Sequence, residues 1–184
     1  FPKLPPPGDR FSDLARRSKK DDGFLEWAGK ERWINATQAM VIDLEKCTRC
    51  DDCVKACADT HDGNPRFVRE GKVFDRWMVA HACMHCIDPV CLIGCPTGAI
   101  HRMTETGIVV INQDTCIGCG ICANACPYEN IQMVDIRDHK GRPVLDPQNK
   151  TPIQKATSCD LCVDQLGGPA CVRACPHDAL ERRD

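Results

Sequence analysis

The sequence has few aromatic residues, little net charge and no long apolar run. Aromatic residues make up only 5% of the 184 residues, so a core built mainly from side chains would be thin. The net charge is −2, with acidic and basic residues interspersed, which argues against a nucleic-acid-binding surface. No stretch approaches about 18 consecutive apolar residues, so the sequence predicts no direct membrane span.

Motifs typical of several enzyme classes are also missing. There is no G-x-G-x-x-G dinucleotide fingerprint, no P-loop, and no Ser/His/Asp grouping with supporting spacing. The sequence therefore indicates no catalytic residues of its own. The first residues are rich in proline and do not read as a signal peptide. Because the chain starts at Phe1 and not at Met, we expect that residues upstream of it have been removed.

Cysteine is abundant and regularly spaced. The 16 cysteines fall into four sets of four, and three of the sets end in Cys-Pro. The first and third sets have the spacing C-x2-C-x2-C-x3-C, whereas the second has C-x2-C-x4-C-x3-C and the fourth has C-x2-C-x8-C-x3-C. The sets are, in order, Cys47, Cys50, Cys53 and Cys57; Cys83, Cys86, Cys91 and Cys95; Cys116, Cys119, Cys122 and Cys126; Cys159, Cys162, Cys171 and Cys175.

Repeated local spacing of this kind is typical of thiolates that converge on metal centres, and disulfide frameworks do not need it. The C-x2-C-x2-C-x3-C-P run of the third set is the bacterial ferredoxin signature for 4Fe-4S clusters. Zinc ribbons use two cysteine pairs for one tetrahedral site, so a zinc-binding structural module is the least favoured alternative. All the cysteines are then ligands, and we expect the chain without metal to be largely unfolded.

Each cluster needs three thiolates from one tight loop, which small residues such as Gly118 and Gly120 allow the backbone to form. We expect the fourth cysteine of each set to lie at the start of a helical turn and to point away from its own loop. It would then reach a neighbouring cluster.

Four phrases around the cysteines resemble the four-cluster iron–sulfur subunit of the dimethyl sulfoxide reductase family, which also includes the electron-transfer subunits of formate dehydrogenase and polysulfide reductase. The resemblance extends over Val41 to Glu181 and implies four 4Fe-4S clusters, because no set lacks a cysteine. The phrases are Cys-Pro-Thr-Gly-Ala-Ile at 95–100, Cys-Pro-Tyr-Glu-Asn-Ile at 126–131, Lys-Ala-Thr-Ser-Cys-Asp-Leu-Cys at 155–162 and Cys-Pro-His-Asp-Ala-Leu at 175–180.

The resemblance also implies that each set lends its fourth cysteine to a different set. Three cysteines of one set and the last cysteine of another would then hold each cluster. The implied ligand groups are Cys47, Cys50 and Cys53 with Cys175; Cys159, Cys162 and Cys171 with Cys57; Cys83, Cys86 and Cys91 with Cys126; Cys116, Cys119 and Cys122 with Cys95.

The expected fold class is α+β, with two nested ferredoxin-like domains that each hold two 4Fe-4S clusters, plus an N-terminal extension. A short strand from Met40 and another at Ile108–Asn112 precede cysteine loops, which indicates a repeat. The predicted divisions are an extended arm and linker at 1–40, an outer domain at 41–82 with 155–184, an inner domain at 83–130 and a β-hairpin insertion at 131–154.

The first 40 residues lie outside the resemblance. Phe1–Gly8 reads as a polyproline arm, and Asp9–Lys20 as a short basic helix. This segment would either dock on a partner or link the chain to an upstream domain. A helix and a loop should follow, in which Trp27 and Trp33 serve as packing residues.

The histidines fall into two groups. His81 and His85 flank or enter the second cysteine loop, where they either donate to a cluster sulfur or pack without a proton role. The others are expected at the surface; they are His61, His101, His139 and His177.

The resemblance implies an electron-transfer protein that relays single electrons between a catalytic oxidoreductase subunit, with a molybdenum or tungsten cofactor, and a second redox partner. The chain would thus belong to a hetero-oligomer. The alternative is an iron–sulfur module of a larger redox protein with a flavin or sensor domain. We expect a cytoplasmic location, with membrane association or export only through a partner.

Overall fold

The computed structural model describes residues 23–138 and 140–183, which form an α+β structure, as the sequence predicts. It divides into two units, one ending at Asn35 and the other starting at Ala36. The predicted arm at Phe1–Gly8, the predicted helix at Asp9–Lys20 and His139 lie outside the described residues. None of the helices in the described ranges has the length and apolar character needed to cross a bilayer.

The described part of the first unit is a small aromatic cluster on a helix. Helix α1 covers residues 23–30, and a 3-10 turn follows at Trp33–Asn35. The ring centroids of Trp27 and Trp33 lie 4.7 Å apart in an edge-on arrangement, and Phe24 lies 5.7 Å from Trp27. Edge-to-face geometry is a favourable one for aromatic pairs, so the two tryptophans pack as the sequence predicts.

A four-stranded antiparallel sheet joins the two ends of the second unit. Its strand order is β2-β3-β1-β8. In the middle, Ile42 of β1 lies opposite Met78 of β3 on one side and Leu180 of β8 on the other. The strands are β1 at Ala39–Asp43, β2 at Val68–Phe74, β3 at Trp77–His81 and β8 at Leu180–Arg183.

Two further antiparallel pairs lie between β3 and β8 in sequence. Strands β4 (Ile100–Arg102) and β5 (Val109–Ile111) form one pair. Strands β6 (Gln132–Asp135) and β7 (Gln154–Thr157) form the other; β6 lies within the β-hairpin predicted at 131–154, whereas β7 has only its first residue there.

Four short helices each follow a cysteine loop. Helix α2 (Asp52–Thr60) packs against α5 (Ala170–Arg173), and α3 (Val90–Ile93) packs against α4 (Ile121–Ala125). The helices thus pair first with last and second with third.

Cysteine side chains form part of both buried clusters of the second unit. Around Met40, Ile42 and Phe67, the first cluster contains thiols of the first and fourth sets. Around Val109 and Ile131, the second cluster contains or contacts thiols of the second and third sets. Since the thiols share this space with the apolar side chains, whatever the thiols bind contributes to the core.

Candidate metal centres

All four sets follow the same path from a loop into a helix. The third cysteine is always the second residue of the helix; the four are Cys53, Cys91, Cys122 and Cys171. The fourth cysteine comes one helical turn later, because C-x3-C is close to the helical repeat. It therefore lies towards or just past the end of the helix, and the expectation that it starts a helical turn is wrong.

The residue before the second cysteine has a left-handed backbone in every set. These residues and their φ angles are Arg49 (61°), His85 (47°), Gly118 (73°) and Leu161 (58°). Left-handed backbone costs a residue with a side chain roughly 1–2 kcal/mol, and strain of this kind concentrates at binding sites. Sequence reasoning identified this turn only at Gly118, because the other three positions do not carry glycine.

Two cavities are each lined by cysteines from two different sets. One is lined by Cys47, Cys50 and Cys53 together with Cys175 of the fourth set. The other cavity is lined by three cysteines of the third set and one of the second set. These are Cys116, Cys119, Cys122 and Cys95. The fold therefore brings distant segments together at both cavities.

Cys57 lies among thiols of the fourth set. Burial, together with the nearby Cys162 thiol, raises the pKa of Cys57 to about 11. The pKa of Cys171 is raised to about 12, first by burial and then by Cys57 and Cys162. Burial also raises the pKa of Cys159, with contributions from Cys171 and Cys57. These four thiols are therefore close neighbours in a poorly solvated place.

Cys126 lies among thiols of the second set in the same way. Burial raises the pKa of Cys83 to about 12, and Cys91, Cys86 and Cys126 add to the effect. For Cys91 the pKa is raised to about 11, by burial and then by Cys126. A buried group of thiols with such raised pKa values is held as thiolates only if a positive partner replaces the protons.

Backbone amides point at several of these sulfurs. The N–H of Ala179 donates to Sγ of Cys175 at 3.3 Å, and the N–H of Arg66 donates to Sγ of Cys57 at 3.2 Å. A hydrogen bond from the N–H of Ile100 is the main reason why the pKa of Cys95 falls to about 7. Such donors stabilise negative charge on sulfur, as iron-bound thiolates require. The residues therefore fit 4Fe-4S clusters.

Two family models match the sequence. A 4Fe-4S dicluster domain matches residues 74–142, which contain the second and third sets, and a 4Fe-4S binding domain matches residues 44–60, which contain the first set. Both models describe the cofactor that the cysteine spacing predicts.

Similar whole proteins extend the similarity over most of the chain. The B subunit of anaerobic dimethyl sulfoxide reductase from Escherichia coli is 32% identical over 160 residues, which cover 76% of this chain and 70% of that protein. The putative electron transport protein YsaA of the same organism is 34% identical, covering 79% of this chain and 88% of the relative. The arsenate respiratory reductase iron-sulfur subunit ArrB of a Shewanella species is 32% identical, covering 76% and 78%.

The protein belongs to the family of dimethyl sulfoxide reductase iron–sulfur subunits. The family resemblance, the 4Fe-4S cofactors and the electron-transfer function that the sequence predicts are thereby confirmed. The two models argue against a zinc module for the first three cysteine sets, because both describe 4Fe-4S domains.

An ion pair supports the fourth loop in this family member. Arg66 Nη1 lies 2.5 Å from Oδ2 of Asp160, and both side chains are mostly buried. Asp160 also accepts the backbone N–H of Cys162 at 3.0 Å through Oδ1. His61 lies beside them, with Nε2 at 3.7 Å from Sγ of Cys162. The fourth loop thus has a guanidinium, a carboxylate and an imidazole beside it.

His61 is not at the surface, where the sequence places it. Only 9% of its side chain is exposed. Burial and the nearby Arg66 lower its pKa, whereas Asp160 raises it. His61, Asp160 and Cys162 could together hold a metal ion. Asp160 is already paired with Arg66, and Cys162 lies among the thiols of its own group, so we assign this cluster to the iron–sulfur site.

A second ion pair borders the cavity of the first set. Arg69 of β2 donates to Asp51 at 2.6 Å, and both residues line the cavity together with His177. This hydrogen bond is the main reason why the pKa of Asp51 is lowered. No sequence pattern marks this pair, because the two residues come from different elements.

His85 is fully enclosed, whereas the other histidine near the second set is not. His85 is 1% exposed and its Nδ1 accepts the backbone N–H of Val109 at 3.0 Å. Burial lowers its pKa to about 4. His81 is the last residue of β3 and is half-buried. His101, in strand β4, is exposed, as predicted.

Proposed function

We propose that this chain relays single electrons through four 4Fe-4S clusters between a catalytic oxidoreductase subunit and a second redox partner. The observation that carries the proposal is the pair of cavities lined by three cysteines of one set and the last cysteine of another. The proposed ligands are Cys47, Cys50, Cys53 and Cys175; Cys57, Cys159, Cys162 and Cys171; Cys83, Cys86, Cys91 and Cys126; Cys95, Cys116, Cys119 and Cys122.

The same arrangement supports two nested ferredoxin-like domains. The first and fourth sets share one buried cluster, and their helices α2 and α5 pack together. The second and third sets share the other buried cluster, and α3 packs against α4. We propose that the outer domain contains residues 41–82 and 155–184 and the inner domain residues 83–130, with 131–154 as an insertion and 1–40 as an extension.

In this proposal the protein provides a fixed setting for electron transfer. A bound 4Fe-4S cluster supplies one-electron redox chemistry. The left-handed residue before each second cysteine turns the loop inwards, and the amides of Ala179, Arg66 and Ile100 donate to ligand sulfurs. The apolar side chains of Ile42 and Leu180 border the first cavity and keep water from it. Rigid, dry surroundings of this kind reduce the reorganisation that a change of charge would cause.

The partner proposed is a catalytic subunit of an oxidoreductase with a molybdenum or tungsten cofactor. The names of two relatives, both of them subunits of reductases, support it. An exposed group of aliphatic side chains beside the second and third cysteine loops supplies a surface for it. These side chains are Ile87, Val90, Ile93, Ile117 and Ile121.

The substitution Ile93→Asp should weaken this association. The Ile93 side chain is 86% exposed, so its replacement leaves the fold intact, yet it would place a charge in an apolar interface. Losing one buried aliphatic contact of about 1.5–3 kcal/mol corresponds to a loss of about tenfold or more in affinity. Anaerobic co-purification from cells, with the molybdenum or tungsten content of the captured partner measured, reads out the association.

Val73→Asp is the matched control, because Val73 is a half-exposed aliphatic residue on β2, outside this surface. The control should capture as much partner as the unchanged protein. Capture of no metal-cofactor subunit by the unchanged protein, or equal capture by the Ile93→Asp variant, would contradict the proposed partner or surface respectively.

We propose a cytoplasmic location, with any attachment to the membrane made through a partner. Cell fractionation with and without the co-purifying subunits tests this proposal. Retention of the isolated chain on membranes from which its partners have been removed would argue against it.

A further inference from the structure

His85 carries a buried ring nitrogen without a hydrogen-bond partner among the described residues. It lies in the second cysteine loop, one residue before Cys86, and only 1% of it is exposed. Its Nε2 atom is fully enclosed and has no partner within the described ranges. A buried polar group is normally satisfied, so this atom calls for an explanation.

The protonation of the ring follows from its other nitrogen. The backbone N–H of Val109 donates to Nδ1 of His85 at 3.0 Å. An amide N–H can only donate here, so Nδ1 presents its lone pair and carries no proton. The proton of the neutral ring is therefore on Nε2, which makes this atom a donor that lacks an acceptor.

The ring is held firmly in this position. The hydroxyl of Thr37 donates to the carbonyl oxygen of His85 at 2.7 Å, and the His85 backbone is left-handed with φ 47°. Val109, which binds the ring, is itself 1% exposed. The donor is therefore fixed in direction before any acceptor arrives.

The surroundings favour a cluster sulfur over water as the acceptor. Val109, which contacts the ring, and Ala82 and Met84, which precede His85 in the chain, are buried and apolar, so a water molecule would find few of the two to four polar partners that it needs. Cys83 and Cys86 flank His85 in its own loop. The proposed cluster that these two cysteines share with Cys91 and Cys126 is thus adjacent to His85.

We propose that the Nε2–H of His85 donates a hydrogen bond to a sulfur of a bound 4Fe-4S cluster and makes that cluster easier to reduce. The inference rests on the proposed function. Reduction adds negative charge that the sulfurs share, and a donor stabilises the more negative state. The acceptor belongs to the cluster of Cys83, Cys86 and Cys91, whose loop contains His85.

The direct test uses the unchanged protein with 15N confined to the imidazole rings of its histidines. Pulsed EPR of the reduced protein should detect hyperfine coupling between a ring 15N and a cluster. One such coupling should disappear in His85→Leu and remain in the control His101→Leu, because His101 is exposed. Couplings from other histidines near thiols, such as His61 with Nε2 3.7 Å from Sγ of Cys162, should remain in both variants. Absence of coupling in the unchanged protein would overturn the inference even if the variant folds poorly, and so would an identical set of couplings in His85→Leu.

Redox titration supplies the second readout. One cluster should have a lower midpoint potential in His85→Leu, and His85→Gln, which retains an N–H donor, should lose less. Comparison with the signals altered by Cys91→Ser and by Cys171→Ser identifies which cluster has shifted. If His85→Leu retains about 16 irons, four per cluster, with unchanged midpoints, the hydrogen bond is refuted while the proposed function stands. Lack of clusters in the unchanged protein would instead refute the proposed function.

Discussion

The pairing of Arg66 with Asp160 shows how single charged residues support a ligand loop. The two residues are 94 positions apart, and Asp160 connects the ion pair to the backbone of Cys162. No local pattern in the sequence marks such a pair. The cysteines, in contrast, were found from spacing alone, because the ligands of one loop must be close in sequence.

The substitution Arg66→Met should lower the thermal stability of the cluster-loaded protein. It leaves the Asp160 carboxylate mostly buried without its cation, and an unsatisfied buried group of this kind costs about 1–3 kcal/mol. The double variant Arg66→Met, Asp160→Asn should recover part of the loss, because no charge is then left unpaired. Anaerobic thermal unfolding, followed by circular dichroism and visible absorbance, measures both effects.

Arg142→Met provides the control for this measurement. Its partner Asp138 forms a similar ion pair at 2.8 Å, but the arginine side chain is 69% exposed. Exposed pairs contribute only about 0–1 kcal/mol, so this variant should unfold close to the unchanged protein. Equal effects of Arg66→Met and Arg142→Met would show that the buried pair has no special role.

At the scale of elements, the cysteine loops were more predictable than the strands between them. The predicted strands at Met40 and Ile108 correspond to β1 and β5. The hairpin of β2 and β3 was not predicted, since charged and apolar residues do not alternate regularly along β2. Its pairing with β1 depends on contacts that are distant in sequence.

The third loop allows a comparison of two glycines with the same backbone. Gly118 has φ 73° and Gly120 has φ 72°, but a Cβ on Gly118 would lie 2.2 Å from the carbonyl oxygen of Gln154, whereas a Cβ on Gly120 meets nothing within 4 Å. Both Ala substitutions carry the left-handed cost of roughly 1–2 kcal/mol. Only Gly118→Ala also forces the loop away from the backbone of β7.

We therefore expect Gly118→Ala to lose iron and melt earlier than Gly120→Ala. Iron per chain and the apparent melting temperature, measured anaerobically on both variants, test this order. A Gly120→Ala variant as damaged as Gly118→Ala would contradict the prediction that the close approach to Gln154 decides the stability of the loop.

At the scale of the whole molecule, cysteines form part of both buried clusters. Met40, Ile42 and Phe67 lie in one cluster together with several thiols, and the other cluster has fewer large side chains still. The α+β class and the 4Fe-4S cofactors could be predicted from the sequence, because cysteine spacing is a local property. The packing of α2 against α5 could not be derived from spacing and was expected only from the family resemblance.

Removal of iron should unfold the second unit. The thiols alone cannot replace the contacts that the bound clusters make across the loops, and metal binding is then coupled to folding. Oxidative removal of iron with a chelator should abolish most far-UV circular dichroism of the strands and the slow hydrogen exchange of β1. A protein that keeps protected amides in β1 after complete iron loss would contradict this prediction.

The most direct test of the crossed ligand groups compares three variants by EPR. Cys126→Ser changes the third set, to which Cys122 also belongs, but the proposed ligand group of Cys126 contains Cys91 of the second set. The EPR signals altered by Cys126→Ser should therefore match those altered by Cys91→Ser and differ from those altered by Cys122→Ser. A match between Cys126→Ser and Cys122→Ser would contradict the exchange of cysteines between sets.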